Sequence, residues 1–158
     1  MWPRTVGAAV ALALLTGGTA SAAQPDNLAF LDAAQTQSVI DQAGAMLVAV
    51  LSYDYRRLDE NAQLAKEKGT DAYVAQHTDM LNKVRTTASR QKQLVTTTVA
   101  AAGVRDLRAD TAKLVVFLDQ ATNRGDTNKT TTAGATVVVD LRLVGTQWKL
   151  DGVSSVGS

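Results

Sequence analysis

The order of patterns along this chain predicts an α+β fold: three amino-terminal helices packed on a curved antiparallel sheet of about four strands. Three observations predict it. Apolar residues recur at helical spacing as far as about Gln93, and at a spacing of two after it. Thr and Val dominate the second half, with Gly, Asn and Asp at its reversals. A length of 158 residues gives one domain a sizeable core and leaves little for a second.

Residues 1–23 read as a leader that precedes the domain. Arg4 and the amino terminus supply positive charge, "VGAAVALALL" is a short apolar run, and Ala20-Ser21-Ala22 fits a small-residue cleavage pattern. The uncharged stretch from Val6 to Ala23 also approaches the roughly 18-residue lower bound for a membrane span. The expectation is a cleaved signal peptide or a single membrane anchor, with residues 24–158 exported as one domain.

Pro25 with Asp26 or Asn27 can open the first helix, which the spacing extends from Leu28 to about Ser52. Ile40, Ala43, Leu47, Val50 and Leu51 form its apolar stripe. "LDENAQLAKEKG" reads as a shorter helix, with Asp59 at its N-cap and Gly69 at its end. Thr70 caps a third, whose buried face is Tyr73, Val74, His77, Leu81, Val84 and Ala88.

"VTTTVAAAGV" then alternates Val95, Thr97 and Val99 against Thr96 and Thr98, as a half-buried strand does. "AKLVVFLDQ" is apolar on both faces and suits a central strand covered on both sides. "TNRGDTNKTTTAG" reads as a polar hairpin loop. In "ATVVVDLRLV", Val137, Val139, Leu141 and Leu143 share a face, and Asp140 and Arg142 take the other. A two-residue turn at Gly145-Thr146 sets Leu143 opposite Trp148 and Leu141 opposite Leu150. It also sets Asp140 opposite Asp151, with Lys149 and Arg142 as their diagonal partners.

Composition excludes several function classes. Without the leader, fifteen basic residues face fifteen acidic ones, which removes the electrostatic basis for binding nucleic acid. Aromatic residues make up 4% of the chain, too few for a base-stacking surface. With no cysteine, disulfides, thiolate metal sites and cysteine nucleophiles are absent. One histidine and no Asp/Glu cluster at ligand spacing give no metal site, and no cofactor motif stands in the chain.

The alanine-rich first helix ending in "LSYDYRRLD" (Leu51 to Asp59), the later "LVVFLDQATN" (Leu114 to Asn123) and the closing "GTQWKLDGV" (Gly145 to Val153) occur in that order. In this the chain resembles the Mce-associated membrane protein family, named for the mammalian cell entry transport systems. The resemblance covers about Leu28 to Val156. It implies a nuclear transport factor 2-like cone behind a hydrophobic segment, exported to the cell envelope at the outer face of the cytoplasmic membrane. It also implies a non-catalytic accessory role beside envelope lipid or sterol importers, with Mce-type transporter subunits as partners. Family members often carry a longer cytoplasmic head and a fuller transmembrane helix than "VGAAVALALLTGGTASAA".

Six residues are candidate cavity or ligand contacts: Tyr53, Asp54, Tyr55, His77, Phe117 and Trp148. Tyr53 and Tyr55 sit where the first helix stops, and the expectation is that they plug the open end of the cone. Asp54 reads as a helix-end group, because no second titratable partner stands near it in sequence. His77, the sole histidine, falls on the buried face of the third helix, where hydrogen-bonded core and cavity-facing base are both open readings. Arg56 and Arg57 read as a solvated face pairing with Asp59 or Glu60. Arg124-Gly125-Asp126 spells an adhesion tripeptide and Asn128-Lys129-Thr130 a glycosylation sequon, both of low specificity in a polar loop.

The expected function is therefore a non-enzymatic accessory or scaffold protein of the envelope, with no catalytic residues assigned. Its rival is a binder of a small lipid or steroid, or an isomerase or dehydratase-like enzyme using Tyr53, Asp54 and His77. A hollow interior in which His77 meets an acid or a phenol would favour the rival.

Overall fold

The computed structural model describes residues 27–30 and 32–157. The leader expected over residues 1–23 lies outside the described residues. A 3-10 turn (Leu28–Phe30) leads into α1 (Ala33–Leu51), β1 (Tyr53–Asp54), α2 (Leu58–Lys68) and α3 (Asp71–Gln91). Four long strands follow: β2 (Gln93–Leu107), β3 (Thr111–Arg124), β4 (Lys129–Val144) and β5 (Gln147–Ser155). They form one antiparallel sheet in the order β1-β2-β3-β4-β5. The α+β order stands, with five strands where about four were expected. The fifth is β1, where Tyr53 pairs with Val95 and Asp54 with Leu94.

Helix α1 starts later than Pro25 and Asn27 predicted, because Asp32 is its N-cap and accepts from Gln35 N at 2.8 Å. Asn27 has a different use. Its Oδ1 accepts from Ala29 N (3.1 Å) and Leu107 N (2.9 Å), and its Nδ2 donates to Arg105 O at 3.0 Å. One side chain thus caps the 3-10 turn and ties it to the end of β2. Val39, Ala43, Met46, Leu47 and Val50 are the buried stripe of α1.

Asp59, the expected cap of α2, lies inside its first turn, where a carboxylate complements the helix dipole; Arg57 is at the N-cap, its side chain bonding Glu60 and giving no capping bond. Thr70 caps α3 as expected, accepting from Tyr73 N at 3.4 Å. The helix ends at Lys92, whose φ of 51° turns the chain into β2.

Shifts in the β2–β3 register between Val99 and Ala101 and between Val104 and Asp106 bend the long strand and curl the sheet. The concave side presents Leu114, Val116, Leu118, Val139, Leu141 and Leu150 to α1, and these form the main core. A smaller cluster of Leu58, Leu81 and Ala88 closes the space between α2 and α3, with Tyr53 and Tyr55 packed against it.

Three strand expectations need correction. β3 is central, yet its outer face is open: Leu118 is 2% exposed and its neighbour Phe117 is 49%. Among the described residues no layer covers the convex side, so apolarity on both faces did not mean burial on both. The polar segment after Thr122 is ladder rather than loop. Thr fits a pleated surface, the cross-strand bond from Asn123 Nδ2 to Thr130 Oγ1 at 3.0 Å holds the less favoured Asn in place, and pairing persists to Arg124 opposite Lys129. The third concerns Asp140 and Asp151. Gly145, with φ of 63°, makes the turn, and Leu143–Trp148 and Leu141–Leu150 pair as expected. A bulge then sets Asp140 opposite Gly152, which separates the two acids. Asp151 takes Arg142 at 3.0 Å and Asp140 takes Lys113 at 3.1 Å, and Lys149 donates to Glu67 O instead.

Candidate functional site

A cleft of about 280 Å³ opens between α3 and the concave sheet, beside the end of α1. Leu51, Met80, Leu118, Val137 and Val153 make its walls apolar, and Gln120 and His77 are among its polar groups. Helix α3 brings Tyr73, Gln76, His77 and Met80 to it because residues three and four apart share a helix face. β3 and β4 bring Leu118, Gln120 and Val137 by their alternation of two.

His77 is 3% exposed. Its Nε2 lies 2.7 Å from Asn61 Oδ1 and its Nδ1 3.4 Å from the Tyr73 hydroxyl. The chemistry of Asn61 sets the tautomer. Both of its amide protons are engaged, by Val50 O at 3.1 Å and Ser52 O at 2.9 Å, so Oδ1 is the acceptor. The imidazole proton therefore sits on Nε2, and Nδ1 accepts from Tyr73. Burial lowers the pKa of His77 and raises that of the Tyr73 phenol, so both groups stay neutral and protonated in that pattern near pH 7.

The imidazole thus meets a phenol in a cleft, the meeting expected to favour a catalytic pocket. Both of its nitrogens are used within the protein, however, and its other partner is an amide. The cleft supplies apolar surface together with Gln120, whose Nε2 donates to Thr97 Oγ1 at 3.0 Å.

Of the six sequence candidates, only His77 lines the cleft. Tyr53 and Asp54 border a separate groove of about 190 Å³ with Arg57, Glu60, Asn61 and Leu64. Tyr53 donates to Gln93 Oε1 at 3.1 Å. The side chain and backbone of Arg56 bond the Asp54 carboxylate and lower its pKa to about 2. The Arg56 guanidinium also stands 5.7 Å from the Tyr55 ring centroid. Phe117 points from the convex face, and Trp148 borders a groove with Gln42, Met46 and Lys68. Rather than plugging the cone, Tyr53 and Tyr55 cover the small cluster between α2 and α3.

Asn61 was missed, although Leu58, Asn61 and Ala65 stand at helical spacing and a polar residue in an apolar stripe marks a buried hydrogen-bonding position. Tyr73, four residues before His77 on a helix, was legible as its neighbour. Arg124 and Asp126 of the adhesion tripeptide pair with each other at 3.0 Å, and their turn is held on Gln91 and Lys92 by backbone bonds. Among the described residues no cluster of His, Asp and Glu could hold a metal ion, and no helix is long and apolar enough to cross a membrane.

No family model matches the chain. Two uncharacterised proteins of Mycobacterium tuberculosis, from two strains, are each 28% identical to it over 118 residues, 74% of this chain. The chain aligns with 54%, about half, of the length of these curated relatives.

Among solved structures, the periplasmic domain of DotI matches with a TM-score of 0.67 at 11% identity, over 77% of this chain and 95% of that one. An IcmL-like type IV secretion system protein of Legionella pneumophila matches at 0.65 and 13%, over 76% and 91%. CagV of Helicobacter pylori, a VirB8 homologue, matches at 0.61 and 15%, over 75% and 96%. At these identities the shared property is the fold: helices on a curled antiparallel sheet.

Proposed function

We propose that this chain is an extracytoplasmic accessory domain of the cell envelope that works by holding protein partners, without catalysis. The observation that carries the reading is the closed network at His77. The one imidazole in the cleft is bonded to Asn61 and Tyr73, and Asn61 in turn ties α2 to the end of α1, so the polar groups brace three helices. The similarity to domains of secretion-system proteins supports an envelope setting. The quoted resemblance to Mce-associated proteins makes subunits of an Mce-type lipid or sterol importer the proposed partners. Cross-linking in the native envelope followed by purification tests this: recovery with Mce-type subunits is the expected result, and recovery of the chain alone would count against it.

A second reading rests on the apolar cleft itself, which would take the edge of a lipid or steroid against Met80 and Leu118. Quenching or displacement of an environment-sensitive apolar dye, lost on Leu118→Gln in a folded variant, would favour it.

A further inference from the structure

The sheet is protected unequally along the side that faces α3. Where β5 is present its outer edge is occupied: Thr70 N donates to Leu150 O at 2.8 Å, and the Gln76 amide takes both Val153 O (2.5 Å) and Val153 N (3.0 Å). β5 ends at Ser155, opposite Val137, and the last bond on this side runs from Val156 N to Thr136 O at 2.9 Å. β4 continues for seven more residues, Lys129 to Ala135. Among the described residues nothing pairs with them on that side.

The pairing parity identifies the free groups. Because Thr136 O faces β5 and the β3–β4 register runs without a shift, Gly134, Thr132 and Thr130 direct their N–H and C=O the same way. Thr132 and Gly134 are exposed, Gly134 adds no side chain, and the intervening Ala133 and Ala135 are small. The edge carries no proline or bulge here, the usual devices that keep another strand away.

This free edge borders the apolar cleft: Ala135 and Val137 line it on the β4 side, and Gln76 and Met80 line it on the α3 side. A second hollow along α3 shares Gln76 and Met80 and adds Asp79, Lys83 and Val84. At the far end stands Lys129, opposite Arg124. Neither Lys83 nor Lys129 forms an ion pair among the described residues, and Asp126 is taken by Arg124.

We infer that the groove between α3 and the free edge of β4 receives an extended peptide strand of a partner protein. The strand adds to β4 by main-chain bonds at Thr130, Thr132 and Gly134. Its apolar side chains enter the cleft at Leu118 and Met80, and an acidic residue meets the basic end at Lys129. An unpaired edge beside an apolar hollow supplies both parts of strand-addition recognition, with backbone bonds for affinity and a pocket for alternate side chains. The inference rests on the protein-binding reading and adds the place and form of the contact.

The test uses the full chain and a fluorescein-labelled peptide of alternating valine and serine with two glutamates at one end. Anisotropy should report saturable binding, and amide exchange should slow at Thr130, Thr132 and Gly134. Thr132→Pro removes one edge donor, which an edge strand tolerates, and Ala133→Glu places a charge at the cleft mouth. Each should weaken binding by at least about tenfold while circular dichroism is retained. Ala101→Glu, at an exposed position of β2 away from the groove, should bind as the parent does. Absence of binding at about millimolar peptide, or protection at other amides, overturns the inference, as does equal binding by both folded β4 variants. If the variants still recover Mce-type subunits from the envelope as the parent does, the groove inference falls and the accessory reading stands.

Discussion

His77 Nε2 donates to Asn61 Oδ1 at 2.7 Å, and that bond joins α3 to α2 through two buried side chains, with the Tyr73 hydroxyl on the other imidazole nitrogen. Asn61 further holds the carbonyls of Val50 and Ser52. Asn61→Leu removes all three bonds and leaves buried donors and acceptors open. The expected loss is about 2–4 kcal/mol by urea unfolding, and Asn61→Asp should recover little of it, since it restores no donor for the two carbonyls.

The same pair makes stability fall in mild acid. Burial lowers the folded-state pKa of His77 below its ordinary 6.5, so the unfolded chain binds the extra proton first. The contribution is complete above about pH 6.5 and is lost as pH falls from there towards the folded-state value. Urea midpoints measured between neutral pH and pH 5 should decline, and His77→Gln should flatten that part of the curve. An unchanged slope in the variant would remove His77 from the account.

Neighbouring positions on β3 should respond oppositely. Leu118→Ala should cost about 2–5 kcal/mol because it empties a site that is 2% exposed. Phe117→Ser, on the uncovered convex face, should change stability by no more than about 0.5 kcal/mol. A large effect at Phe117 would show that the convex side is covered in solution.

The Arg142–Asp151 pair should matter less than the cap beside it. Arg142 is exposed, so Arg142→Ala should cost under about 1 kcal/mol. Thr70 both caps α3 and donates to Asp151 Oδ1 at 2.7 Å. Thr70→Ala should therefore cost about 1–2 kcal/mol, and thermal melts of the two variants give the comparison.

Asp126→Ala should leave cell attachment unchanged, because Asp126 is held by Arg124 in a turn docked on α3. Reduced attachment by this variant would revive an adhesive use of the loop.

Much of the fold was legible because its determinants are local. The caps Thr70 and Gly69, the stripe of α1 and the pairing of Leu141 with Leu150 all follow from spacing and turn chemistry. What escaped depends on distant groups. Asp151 keeps its expected diagonal partner Arg142 but is bulged out of the ladder, where Thr70 also bonds it, and Tyr53–Asp54 becomes a strand because β2 passes there with Val95 and Leu94 unpaired on that side. The site shows the same division. His77 was placed on the right helix face, but its partner Asn61 comes from another helix, and sequence spacing carries no signal of that approach. Phe117 and Trp148 do not join it, because strand parity and chain path take them to the convex face and to a separate groove.

Gly69 sits where the second helix, the third helix and the last strand converge: it bridges to Leu150, and a methyl group added there would stand 2.5 Å from Tyr73 Cδ1 and 2.8 Å from Ala65 O. The joint therefore works like a hinge pin with no clearance. Any side chain at position 69 must displace the Tyr73 ring or the Ala65 carbonyl, so the phenol that bonds His77 keeps its seat only because this position carries no side chain.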